Sequence, residues 1–87
     1  MFVILVYDAG VKRDPKILKT CRKYLNWVQN SVFEGEITDG KFKMLRKELE
    51  RIINTQDDYI IMYTWNTQRY SNRLTMGRSK VEEGYIF

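Results

Sequence analysis

The chain has 87 residues, enough for one small domain, and its 15 Lys and Arg against 11 Asp and Glu give a net charge of +4. It contains no His and a single Cys, which excludes histidine acid–base chemistry, His-paired nucleophiles, ordinary zinc sites and an internal disulfide. No apolar run approaches the roughly 18 residues of a membrane span, so we expect a cytoplasmic protein without a membrane-spanning segment.

The first predicted element is a strand at the start of the chain. Apolar or aromatic side chains run without a break from Phe2 to Tyr7, and Ala9-Gly10 interrupts the pattern. This Val- and Ile-rich composition predicts a strand in the middle of a sheet, covered on both faces. Asp8 follows at its end, where catalytic and metal-binding side chains are often presented. Asp8 is therefore the first candidate functional residue.

A helix is predicted after a short loop, with Asp14 as its N-cap and Pro15 as its first helical residue. Lys12, Arg13 and Lys16 lie beside the positive end of this helix. They predict either a phosphate-binding patch or an ordinary solvated face, and the net charge is compatible with both. Apolar residues at helical spacing predict the buried stripe: Ile17, Leu18, Cys21, Tyr24 and Leu25.

A β-hairpin is predicted next, because short apolar pairs flank the polar residues 29–31. Strand alternation places Ser31 and Phe33 on the same face of the sheet. Glu34 and Glu36 offer carboxylates to a metal ion, although glutamates in strands more often lie on the solvent-exposed face of a sheet.

The remaining core consists of a second predicted helix and a further buried strand. Thr38 or Asp39 caps the helix, and the strand covers Asp58–Trp65. The order strand, helix, strand, strand, helix, strand predicts an α+β, ferredoxin-like βαββαβ fold over residues 1–65, with both helices on one face. The other, apolar face then needs a cover, and a second copy of the chain is the simplest one. The predicted stripe of the second helix is Phe42, Leu45, Leu49, Ile52 and Ile53.

Residues 66–87 differ from the core in composition. They are polar at first and end in the apolar triplet Tyr85-Ile86-Phe87. We expect an additional C-terminal strand followed by a tail that docks on the partner protomer or on another protein. Arg78 in this tail is a further candidate for nucleic-acid binding.

Two stretches carry a resemblance to a known family. The strand from Val3 to Asp8, followed by the segment from Gln29 to Gly35 (QNSVFEG), resembles the small CRISPR-associated adaptation proteins, the second of the two universal Cas proteins. The resemblance covers essentially the whole chain. It implies a homodimer whose sheets pack face to face, with each C-terminal strand extending the sheet of its partner. It also implies a role in spacer acquisition, in which the dimer bridges the CRISPR integrase and contacts the backbone of duplex DNA through Lys12, Arg13, Lys16 and Arg78.

The same resemblance implies an endonuclease activity on RNA or DNA that depends on Mg²⁺. Asp8 matches the aspartate that the family presents as a metal ligand, and Ser31 lies in the second motif, where it would position water or phosphate. One carboxylate is too few for Mg²⁺, so Asp8 and its symmetry mate would share an ion that activates water and offsets phosphate charge. A toxin-type ribonuclease of the virulence-associated D group, which shares the fold and the dimer, is the alternative.

Overall fold

The computed structural model describes residues 1–65 and 71–77. The elements are β1 (Phe2–Asp8), α1 (Asp14–Arg22), β2 (Asn26–Gln29), β3 (Val32–Glu36), α2 (Asp39–Ile52), β4 (Tyr59–Trp65) and β5 (Ser71–Gly77). The strands form one antiparallel sheet in the order β2-β3-β1-β4-β5, which confirms the predicted ferredoxin-like core with an additional strand beyond β4. Neither helix in the described ranges has the length and apolar character needed to cross a membrane.

The central strand β1 has two unlike faces. Val3, Leu5 and Tyr7 are buried among residues of both helices, whereas the alternate side chains of Phe2, Ile4 and Val6 are only half-buried. Within the described residues this strand is fully covered on the helix side only, and the cover expected for its other face, a second copy of the chain, stays a prediction. Both helices lie on one side of the sheet, as predicted, and they supply four fully buried residues to the core: Ile17, Cys21, Leu45 and Leu49.

The two helices begin differently. Thr38 caps α2 as predicted, and its hydroxyl accepts a hydrogen bond from the Lys41 amide at 3.2 Å. The prediction that Asp14 caps α1 is wrong, because Arg13 occupies the cap position and Asp14 is the first helical residue. The Gly10 carbonyl accepts the amides of Arg13 and Asp14, so a backbone turn leads directly into the helix without a side-chain cap.

A polar contact joins the end of α1 to the middle of α2. The Lys23 ammonium and the Tyr24 hydroxyl both donate hydrogen bonds to the Glu48 carboxylate. The bond from Lys23, followed by that from Tyr24, lowers the pKa of Glu48 below its ordinary value. This contact links the two helices above their shared apolar core.

The additional strand β5 pairs with β4 of the same chain from Tyr59 opposite Gly77 to Trp65 opposite Ser71. Only residues 66–70 separate the two strands, and such short connections favour pairing of consecutive strands. The implied extension of the partner's sheet by a C-terminal strand stays a prediction. Gly77 has a φ of +83° and leaves no room for a Cβ against the Asp58 carbonyl. The predicted tail contacts of residues 78–87, including Arg78, lie outside the described residues.

Candidate functional site

The face of the sheet opposite the helices, called the open face below, has an apolar centre. Val6 of β1 lies between Val32 of β3 and Ile61 of β4 in the strand register. Ile4 lies opposite Tyr63 one step further along. Ile61 is buried, with 5% of its surface exposed, whereas Ile4, Val6 and Val32 are half-buried. Neither described helix packs over the half-buried side chains, so they present a partly exposed apolar surface on the central strands.

The two ends of the open face differ in chemistry. At one end, the Phe2 and Trp65 rings lie 6.1 Å apart between centroids, and Tyr63 lies 6.4 Å from the same indole. At the other end is Asp8, an exposed residue opposite Tyr59 in the register. Glu34, opposite Ile4, and Glu36, opposite Phe2, share this face in the register. The open face therefore has an apolar centre around Val6, an aromatic cluster and two carboxylates toward one end, and Asp8 at the other.

The described residues place Asp8 in no cluster of three or more possible metal ligands. Glu34 lies opposite Ile4 and Glu36 opposite Phe2, so the β3 carboxylates occupy rows toward the aromatic end. Among residues 1–65 and 71–77, no group of three His, Cys, Asp or Glu residues is placed to hold a metal ion. One protomer thus offers the hard oxygen ligand that suits Mg²⁺, but not a complete ligand set.

A buried ion pair fixes the loop that follows Asp8. Asp58, immediately before β4, has no exposed surface and accepts hydrogen bonds from the Arg13 guanidinium and from the amides of Gly10, at 3.0 Å, and Asn54, at 2.8 Å. Burial alone would raise the pKa of Asp58, but the bonds from Arg13 and the two amides outweigh it and lower the pKa. Asp58 therefore holds the loop after β1 against the start of β4.

Sequence reasoning missed this role of Asp58. It treated Asp58 as the first residue of a buried strand, and no local pattern distinguishes it from an ordinary turn aspartate. Its partner Arg13 lies 45 positions away along the chain, so only the folded register brings the two charges together.

The structure divides the predicted phosphate-binding patch. Lys12 and Lys16 are exposed beside the start of α1. Arg13 instead turns inward to Asp58, and its guanidinium also lies 3.9 Å from the Asp57 carboxylate. Two of the three predicted cations therefore remain available for an external phosphate.

Ser31 and Asp8 lie at the same end of the sheet but on opposite faces. The Ser31 carbonyl accepts a hydrogen bond from the Tyr7 amide at 3.1 Å, which makes Ser31 the cross-strand neighbour of Tyr7 on the helix side. There Ser31 lines a cleft of about 330 Å³, and alternation along β1 places Asp8 on the other face. The described geometry does not bring the two predicted catalytic residues together.

Comparison with known proteins identifies the family. The model of the family described as CRISPR associated protein Cas2 matches residues 1–73. The chain belongs to the Cas2 family. This assignment confirms the resemblance seen in the strand ending at Asp8 and in the hairpin motif around Ser31, and it makes the protein CRISPR-associated.

Individual Cas2 relatives match over most or all of the chain. A protein of Dictyoglomus turgidum named CRISPR-associated endoribonuclease Cas2 is 52% identical over 80 residues, which cover 92% of each chain. A protein of the same name from Thermotoga maritima is 48% identical over the full length of both chains.

Solved Cas2 structures have the same fold. A crystal structure of Streptococcus pyogenes Cas2 at pH 6.5 matches with a TM-score of 0.70 and 33% identity, covering 76% of this chain and 87% of that one. A second structure, described as a crystal structure of cas2, matches with a TM-score of 0.74 and 36% identity over 100% of this chain and 98% of that one.

Proposed function

We propose that this protein acts in CRISPR spacer acquisition as a homodimer that binds duplex DNA and bridges subunits of the CRISPR integrase. The observation that carries the proposal is the open face, whose central residues Ile4 and Val6 remain half-buried in the described chain. An apolar surface on the central strands of a small sheet marks an interaction site. A second copy related by two-fold symmetry covers it with an identical surface and yields two equal outer faces for partners.

The dimer also doubles the basic surface beside α1. Exposed Lys12 and Lys16 lie next to the helix N-terminus in each protomer, where the helix dipole adds to their attraction for phosphate. Contacts of this kind position a nucleic acid without reading its sequence. We therefore propose sequence-independent binding to the duplex backbone.

The salt dependence of duplex binding tests this mechanism. If two lysines from each protomer neutralise four phosphates, the affinity falls about a hundredfold between 50 and 200 mM salt. Replacing both Lys12 and Lys16 with Gln should flatten this dependence. The matched control, Lys43→Gln with Lys47→Gln on the exposed side of α2, should keep the wild-type slope. An affinity that does not change with salt would rule out binding through phosphates.

A second candidate function is endonuclease activity on RNA or DNA that depends on Mg²⁺. It is favoured by the exposed position of Asp8 at the end of the central strand, and the relatives from D. turgidum and T. maritima are named endoribonucleases. A single carboxylate does not complete a Mg²⁺ site, so the proposal requires Asp8 from both protomers of the dimer. Bound there, Mg²⁺ would activate water and offset the charge of a phosphodiester.

A cleavage assay separates this activity from simple bridging. Labelled RNA and duplex DNA are incubated with purified protein while Mg²⁺ is titrated against a chelator. Asp8→Asn should abolish cleavage with the fold intact, whereas Asp39→Asn, an exposed aspartate at the start of α2, should cleave at the wild-type rate. Equal rates in Asp8→Asn and the wild type would indicate a contaminant. The role of Ser31 stays a prediction, and Ser31→Ala in the same assay tests it.

The toxin-type ribonuclease of the virulence-associated D group is less well supported than a CRISPR role, because the family match covers residues 1–73 and is to Cas2. Gene context separates the two. An integrase gene and a repeat array beside this gene would support spacer acquisition, whereas their absence would favour the toxin-type alternative.

A further inference from the structure

A cleft on the helix side of the sheet is not used by the proposed dimer or by Asp8. It lies where the start of α1 meets the hairpin between β2 and β3, and its volume is about 330 Å³. Because the helices and the open face are on opposite sides of the sheet, a second copy packed on the open face leaves this cleft accessible. It is lined by Tyr7, Asp14, Leu18, Trp27, Asn30 and Ser31.

Trp27 gives the helix-side cleft a planar apolar wall. Its indole Nε1 donates a hydrogen bond to the Asn30 carbonyl at 2.8 Å, which fixes the orientation of the ring. The residue nevertheless remains 52% exposed, an unusual position for so large an apolar side chain. The Arg22 guanidinium lies 5.7 Å from the ring centroid and adds a positive charge. An exposed, oriented indole beside a cation is the arrangement on which unpaired bases stack.

Asp14 gives the cleft its hydrogen-bonding character. Asp14 lines the cleft together with Tyr7, and burial, followed by the charge of Asp14, raises the pKa of the Tyr7 phenol. A carboxylate has about four acceptor positions, so Asp14 can accept from a ligand as well as from a neighbouring hydroxyl. The cleft therefore favours a ligand that presents adjacent N–H donors.

We propose that the helix-side cleft binds the base of an unpaired guanine nucleotide, stacked on Trp27 and hydrogen-bonded to the Asp14 carboxylate. The proposal rests on the nucleic-acid binding proposed above, which brings the nucleotide to this surface. Unpaired bases are recognised by stacking on aromatic side chains together with hydrogen bonds to their Watson–Crick edge.

Guanine is the base that fits this combination. Its Watson–Crick edge carries two neighbouring donors, the N1–H and the N2 amino group, which match the two oxygens of a carboxylate. Adenine and cytosine place a ring acceptor beside their single amino group, and that acceptor would face the carboxylate. Uracil has one N–H between two carbonyl acceptors. A carboxylate thus discriminates among bases that stack on Trp27 equally well.

Tryptophan fluorescence provides the test. Trp65→Phe leaves Trp27 as the only indole, and the protein is titrated, with a chelator present, with a short oligouridine RNA carrying one central guanosine or one central adenosine. We expect Trp27 to be quenched, with the guanosine RNA binding about tenfold more tightly, the ratio that corresponds to about 1.4 kcal/mol for a bidentate pair. A DNA pair of the same design shows whether the sugar matters.

Two matched variants identify the discriminating group. Asp14 and Asp39 are the acidic residues in the first turns of α1 and α2, so Asp→Asn at each has a similar effect on its helix. Asp14→Asn should bind the guanosine and adenosine RNAs with about equal affinity, because an amide offers one donor and one acceptor. Asp39→Asn should bind the guanosine RNA about tenfold more tightly, as the wild-type cleft does. Thermal melts of both variants establish that the fold is retained.

The outcomes separate this proposal from the proposed function. If the protein with an unchanged cleft binds the guanosine and adenosine RNAs with equal affinity, guanine recognition is overturned, whatever the Asp14 and Asp39 variants show. If neither RNA quenches the Trp27 fluorescence while the protein still binds duplex DNA in a salt-dependent way, only the cleft proposal is overturned. Loss of both single-strand and duplex binding would overturn both proposals.

Discussion

The two faces of the sheet are made from one apolar sequence, yet they differ in how the chain covers them. Along β1, Val3 and Leu5 have no exposed surface, whereas their neighbours Ile4 and Val6 are half-buried. The first pair packs against α1 and α2, and the second pair belongs to the open face. An unbroken apolar strand therefore need not be fully covered on both faces by the described part of its chain, and its half-buried face is a candidate interface.

The same contrast applies to two carboxylates at one end of the sheet. Asp58 is fully buried and bonded to Arg13 and two backbone amides, whereas Asp8 at the end of the neighbouring strand is exposed. Asp58 therefore has a structural role. Asp8 lies at the surface, which is why we assign the candidate chemistry to it.

Removing the buried carboxylate should have the largest effect on stability. Asp58→Ala leaves the Arg13 guanidinium and two amides without their acceptor and should lower the free energy of unfolding by about 4 kcal/mol. Urea unfolding measures this change. Asp57→Ala, which removes an exposed carboxylate 3.9 Å from the same guanidinium, should cost no more than about 0.5 kcal/mol. Similar losses in the two variants would show that burial of the ion pair is unimportant.

Truncating side chains on the two faces of β1 should lower the free energy of unfolding by different amounts. Leu5→Ala opens a cavity among fully buried residues and should cost about 3 kcal/mol. Ile4→Ala, its neighbour on the open face, should lower the free energy of unfolding by about 1 kcal/mol in dilute protein. The loss should increase with protein concentration, because a second copy then covers the open face. Thermal unfolding at several protein concentrations makes the comparison. Equal, concentration-independent losses would contradict the difference between the faces.

Acid should weaken the buried ion pair with a defined sign. The pKa of Asp58 in the folded protein lies below the ordinary value of 3.8, so its contribution to stability is present above that pH and disappears as the pH falls through the folded value. The stability difference between the wild type and Asp58→Asn should therefore shrink below about pH 4. Urea midpoints measured from pH 6 to pH 2.5 test this, and a difference that widens in acid would reverse the assigned sign.

Local patterns were sufficient to predict the order of the core elements, Thr38 as one of two candidate caps, and the position of Asp8 at a strand end. The prediction failed where distant segments decide the outcome. Arg13 occupies the N-cap position of α1 without capping it, and its side chain pairs with Asp58 because the loop folds against the start of β4, a contact between residues 45 positions apart. The register of β1 against β3 sets Ser31 beside Tyr7, on the face opposite Asp8, and no local pattern shows this separation. The catalytic role of Ser31 stays a prediction.

Sedimentation of the purified protein tests the role of the open face most directly. We predict that the wild type has twice the mass of the chain, and that Val6→Glu, at the centre of the open face between Val32 and Ile61, is a folded monomer with weakened duplex binding. Val11→Glu, in a loop position that is 90% exposed, should remain dimeric. A monomeric wild type at all concentrations, or a Val6→Glu variant that dimerises as well as the wild type, would contradict a dimer formed through this face.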